Sequence, residues 1–113
     1  IIISSIGGLR GSPIIGAYGI SKAADMALTR NLAIELGPDN IRVNTIAPGL
    51  IKTDFARALW EDEKNLEKRL ERQPLKRLGE PDDIGGIAVM LASRAGRFMT
   101  GQVIVADGGE LIA

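Results

Sequence analysis

The sequence predicts an α/β fold, a doubly wound parallel sheet of three strands alternating with helices. Three observations lead there. Short, β-branched apolar runs stand at 1–5, 41–47 and 103–106, and suit strands covered on both faces. Helical periodicity fills the stretches between them. Clusters of Gly and Pro mark the junctions.

The elements follow in order. Ile1-Ile2-Ile3-Ser4-Ser5 reads as the first strand, broken by Gly7, Gly8, Gly11, Ser12 and Pro13. A helix over about Ala17 to Leu36 should place Ala24, Ala27, Leu28, Leu32 and Leu36 on or near its apolar face. Gly37 suits a left-handed cap, and Pro38 cannot continue the ladder. Ile41 to Ala47 reads as the second strand, ended by Pro48-Gly49. The segment from Thr53 to Arg72 is amphipathic and charge-laced, with Phe55, Leu59, Leu66 and Leu70 as its stripe. Its Glu, Lys and Arg residues are most simply a solvated face. A helix should start at Pro81, with Asp82 and Asp83 at its positive dipole end, and run to about Ser93. Val103 to Ala106 is the third strand, closed by the Asp107-Gly108-Gly109 turn.

Composition narrows the chemistry. The 113 residues carry 14 basic and 14 acidic side chains, so no net field is offered to nucleic acid or to an anionic membrane. With no Cys there is no thiolate nucleophile, and with no His there is no imidazole base. Acid–base work falls to Tyr, Lys, Asp or Glu. The sequence has no run of about 18 apolar residues and no signal-peptide pattern, which predicts a cytoplasmic protein and no membrane partner.

The candidates cluster near the start. Tyr18 and Lys22 are spaced i, i+4 and project from one helix face. Ser5 stands thirteen positions before Tyr18, at the carboxyl end of the first strand, where open α/β sheets bind ligands. A free phenol ionises near pH ~10, and a cation one turn away favours the phenolate. A nearby Ser hydroxyl can donate to a substrate oxygen as charge develops on it. Such a device moves a proton to or from a carbonyl or alcohol oxygen. Hydride must then come from a cofactor. Tyr-x-x-x-Lys alone is an ordinary helix pair; Ser-x12-Tyr-x3-Lys across strand, Gly-rich loop and helix is far more demanding.

Ser5 with Tyr18-Gly19-Ile20-Ser21-Lys22 resembles the active-site pattern of the short-chain dehydrogenase/reductase family. Ile41-Arg42-Val43-Asn44, Ala47-Pro48-Gly49 with Thr53, and Asp107-Gly108-Gly109 are similar to its downstream signatures, in order and across the whole chain. The stretch from Ala47 to Trp60 is similar to a branch of NADP-dependent carbonyl and retinal reductases. The resemblance implies the C-terminal half of a Rossmann fold and an NAD(P)-dependent oxidoreductase acting on a small carbonyl or alcohol. Tyr18 would be the catalytic acid–base, and Ser5 would orient the substrate oxygen. Lys22 would bind the nicotinamide ribose hydroxyls and favour ionised Tyr18. Pro48, Gly49, Ile51 and Thr53 would line the nicotinamide side, with the Ile51 backbone toward the carboxamide and Thr53 near the phosphates. Residues from about 54 to 72 would form a substrate lid.

Read as turn chemistry alone, Pro48-Gly49 is a strand terminator and Thr53 an N-cap. A helix N-terminus also suits phosphate, so the two roles of Thr53 are compatible. Asp107 beside two glycines reads as a turn rather than a metal ligand.

The strand, Gly-x-Gly-x-x-Gly turn and helix that hold a pyrophosphate are not among these motifs. Gly7-Gly8-Leu9-Arg10-Gly11 lacks that spacing, and nothing here selects NAD over NADP. Residues 1–113 therefore read as one partial domain without its dinucleotide-binding half. Two expectations follow: negligible dehydrogenase activity from this chain alone, and self-association into a dimer or higher homo-oligomer through its apolar first strand. The alternative function is a non-catalytic piece that folds by that self-association.

Overall fold

The computed structural model describes residues 1–113, Ile1–Ala113. Three parallel strands, β1 (Ile2–Ile3), β2 (Thr45–Pro48) and β3 (Val103–Ala106), form one sheet in the order β1-β2-β3. Ile3 pairs with Ile46, and Ile46 with Ile104. Helix α1 (Gly16–Leu36) crosses from β1 to β2. The return to β3 runs through α2 (Arg57–Trp60), α3 (Glu63–Arg72) and α4 (Pro81–Ala92). The architecture is the predicted α/β alternation.

The core is centred on β2. Thr45, Ile46 and Ala47 are fully buried, and since successive residues face opposite ways, both faces of this strand are covered. Thr45 meets α1 through a hydrogen bond between its hydroxyl and that of Thr29, both out of contact with water. Helix α4 also packs on β2 and contributes buried Leu91. No helix is long and apolar enough to cross a membrane.

Several boundaries differ from expectation. The second strand begins at Thr45 rather than Ile41. Side chains are interleaved with the backbone bonds there: the Val43 amide donates to Thr100 Oγ1 at 3.1 Å, and Asn44 Nδ2 to the Met99 carbonyl at 2.7 Å. Gly37 is right-handed and opens a short 3-10 turn, so the left-handed residue is Asn40, with φ of 59°. Helix α1 buries Met26, Thr29 and Ala33 instead of the Ala24/Leu28 side, leaving Leu28 49% exposed. That face sets Thr29 against Thr45, a polar contact that apolar periodicity does not weigh.

The segment 54–72 contains two helices. Asp62 breaks it, its carboxylate accepting from the Asn65 amide at 3.2 Å as the cap of α3. Phe55 is 89% exposed and does not join an apolar stripe. Helix α4 starts at Pro81 as expected, with Asp83 accepting from the Glu80 amide at 2.8 Å.

Candidate active site

The site begins where β1 ends. Buried Ser4 donates through Oγ to the Lys22 carbonyl at 2.7 Å, tying the strand to α1. Ser5 is extended and half-buried, and its Oγ accepts from the Gly7 amide at 3.0 Å, which leaves its own proton free to donate elsewhere. The 3-10 turn Ile6–Gly8 then lies directly on the helix. A Cβ on Gly8 would fall 2.6 Å from the Lys22 carbonyl carbon, and one on Gly19 would fall 2.8 Å from the Gly7 oxygen. Glycines on both surfaces permit this approach.

The approach brings the predicted trio together. A Cβ on Gly7 would stand 3.4 Å from both Ser5 Oγ and Tyr18 Cε1, so hydroxyl and ring flank one glycine. Tyr18 is 36% exposed, open to an incoming molecule. The Lys22 ammonium lies 5.8 Å from the Tyr18 ring centroid. It donates to the Ile3 carbonyl at 3.3 Å and to Asp25 Oδ2 at 3.2 Å.

The second predicted group lines the neighbouring strand end. Continuing the β1–β2 register sets Ser5 level with Pro48, so both groups lie at the carboxyl edge of the sheet. Pro48 is buried, and the Gly49 amide donates to the Ala106 carbonyl at 2.9 Å. A Cβ on Gly49 would come within 2.8 Å of Asp107 Cα, so glycine lets the chain pass β3. Ile51 forms a parallel bridge to Gly79. That bridge uses the Leu50 carbonyl at 3.1 Å and the Lys52 amide at 2.8 Å, which turns the Ile51 amide and carbonyl to the other side.

Thr53 Oγ1 accepts from the Ala56 amide at 3.3 Å and closes a turn ahead of α2, whose N-cap is Ala56 rather than the expected Thr53. The Thr53 carbonyl accepts from Trp60 Nε1 at 3.0 Å, and the Lys52 ammonium lies 6.0 Å from the Trp60 ring centroid. A cavity of about 160 Å³ lies behind Ile51, among Leu50, Gln73, Arg77 and Asp107; Ser5, Tyr18 and Lys22 are not part of it.

A family model described as enoyl-(acyl carrier protein) reductase matches residues 1–110. The chain belongs to the short-chain dehydrogenase/reductase family. Dehydrogenase/reductase SDR family member 4 from Homo sapiens is 48% identical over 109 residues, covering 96% of this chain and 39% of that protein. A 4-hydroxyisoleucine dehydrogenase complexed with NADH superposes with a TM-score of 0.93 at 37% identity, covering 98% of this chain and 46% of that one. A protein described as an NAD(P)-dependent gluconate 5-dehydrogenase from Beutenbergia cavernae, with bound NADP at low occupancy, gives 0.94 at 38% identity, covering 98% and 45%. The chain thus spans about two fifths of the length of the curated relatives it matches.

Two features of this short-chain dehydrogenase/reductase chain escape motif reading. Asp25 pairs with Lys22, a contact that the i, i+3 spacing could have signalled. Glu110 accepts from Arg10 Nη2 at 2.6 Å and from Arg69 Nη2 at 2.7 Å, joining the loop after β1, helix α3 and the C-terminal turn. No local spacing signals a contact between residues 100 positions apart. Asp107 is a turn residue as expected, accepting from the Gly109 and Leu111 amides at 2.9 and 2.8 Å. No group of three potential metal-ligating side chains exists.

Proposed function

We propose that this chain carries the acid–base and nicotinamide-facing part of an NAD(P)(H)-dependent oxidoreductase that interconverts a carbonyl and an alcohol. The observation that carries the reading is the meeting of Ser5, Tyr18 and Lys22 around the Gly7 turn.

Tyr18 holds the proton that passes to the substrate oxygen in reduction and returns in oxidation. Ser5, its oxygen already accepting from Gly7, donates its hydroxyl proton to that same substrate oxygen. Lys22 spends two of its three N–H groups on Ile3 and Asp25, and keeps one for a ribose hydroxyl. The outward Ile51 amide and carbonyl complement a carboxamide, which both accepts and donates. Pro48 and Gly49 shape the adjoining wall, and the Thr53 hydroxyl proton is available to a phosphate. When bound, the dinucleotide supplies the hydride. Residues 54–72 form the substrate lid, rooted at Thr53 by Trp60.

The test is turnover of a panel of ketones, aldehydes and secondary alcohols with NADH and NADPH. It is run on the 113-residue chain and on the longest product of its coding sequence. Tyr18→Phe should cost about 10²–10⁴ in kcat and leave cofactor binding within a few-fold. Turnover in neither product would favour the alternative, a non-catalytic piece that folds by self-association.

A further inference from the structure

Lys22 sits between two groups on its own helix. Tyr18 is one turn toward the N-terminus, and Asp25 is three residues toward the C-terminus. The ammonium is 3.2 Å from the Asp25 carboxylate but 5.8 Å from the Tyr18 ring centroid. Lys22 and Asp25 are each about three-quarters buried at the side chain, with 25% and 29% exposed, so their attraction is less screened than a surface pair's.

Asp25 is the ionic partner of Lys22, and the Ile1 amino group stands two residues from the Ile3 carbonyl that the ammonium also meets. The end of β1 presents the Ile3 carbonyl, and the Ile6–Gly8 turn follows the Ser5 hydroxyl. Arg10, further along that loop, is already paired with Glu110. Asp25 is thus the counter-ion through which the cation's influence on Tyr18 is set.

We propose that Asp25 is a positioning residue acting through Lys22. It offsets the charge of an ammonium that lies over the Tyr18 ring, limiting how strongly the cation supports the Tyr18 oxygen once its proton has left. The inference rests on the Tyr18–Lys22 reading and deepens it. Removing the carboxylate acts in one direction by two routes: a negative charge near the phenolate disappears, and the freed ammonium can approach the ring. Asp25 also leaves the third Lys22 N–H aimed by two fixed contacts rather than by a mobile side chain.

Tyr18 is the sole tyrosine, so phenolate absorbance in the near ultraviolet reports on it alone and needs no cofactor or turnover. The chain, Asp25→Asn, Lys22→Gln and the double variant are titrated, with circular dichroism marking the pH range over which each stays folded. Asp25→Asn should move the Tyr18 midpoint down by roughly 0.3–0.5 pH unit. The shift should shrink to less than half of that in the Lys22→Gln background, and Asp25→Glu should restore the original midpoint. An unmoved or raised midpoint, or an equal shift in both backgrounds, would overturn the role of Asp25. Lys22→Gln alone tests the underlying reading, which fails if that midpoint does not rise. Should a variant lose its fold, the Tyr18 ring resonances of Asp25→Glu and Asp25→Ser decide the question by the same criterion.

Discussion

Arg69 grips Glu110 with both arms of its guanidinium, Nε at 3.1 Å and Nη2 at 2.7 Å on one carboxylate oxygen, while Arg10 holds the other. The Glu110 side chain is only 10% exposed, so this is a partly dehydrated network rather than a surface ion pair. Glu110→Gln should destabilise the chain by about 1–3 kcal/mol. Amide exchange should quicken together in 9–15 and in α3. Faster exchange in only one of those segments would show that the carboxylate does not couple them.

Close backbone contact makes a second prediction. Gly8→Ala drives a Cβ into the peptide between Lys22 and Ala23, which is backbone and cannot swing aside. The cost should be about 1–3 kcal/mol in denaturant unfolding. Because the turn must lift from α1, the nuclear Overhauser contacts between Ser5 and Tyr18 should weaken. Gly11→Ala, with nothing within 4 Å of its Cβ, is the matched control.

Acid reports on a third contact. Hydrogen bonds from Arg77, then from the Glu80 amide, hold the Asp83 carboxyl down to about 2 from an ordinary 3.8. A depressed carboxylate stabilises the fold fully above its unfolded value and ceases to do so as pH falls through its folded one. Its contribution is therefore present above about pH 4 and lost between pH 4 and 2. Asp83→Asn should lower the urea midpoint at neutral pH and flatten its fall across that window. An unchanged acid limb would sink the assignment.

Self-association is the fourth. Ile1 and Ile3 are 53% and 51% exposed on an edge strand, and Ile20, Leu28 and Ile34 stand exposed along α1. Apolar surface of this kind, next to an unpaired strand edge, favours a dimer or larger assembly. Sedimentation velocity should show it at micromolar concentration, and a compact monomer persisting on dilution would rule it out.

Much of the α/β alternation is legible in the sequence. Strand and helix identities follow from period and punctuation, and Val103–Ala106 begins and ends where the pattern says. Ser5, Tyr18 and Lys22 declare themselves because spacing along one helix and one strand end is local information. The errors share a physical cause. The Asn44 amide and Thr100 hydroxyl are interleaved with backbone bonds at 43–44, and the Thr29 hydroxyl on α1 meets Thr45. Each is a tertiary polar contact to which hydrophobic periodicity is blind. Asp62 is different: a capping side chain in mid-segment is local information that the sequence does carry.

Trp60 gives the segment 54–72 a built-in voice. It is the sole tryptophan, its indole N–H is bound to the Thr53 carbonyl, and a lysine ammonium lies over its ring. A molecule that settles against Thr53, or a shift of 54–72 at its root, must disturb one of those two contacts. The colour and intensity of the chain's own fluorescence therefore follow that segment, with no label attached.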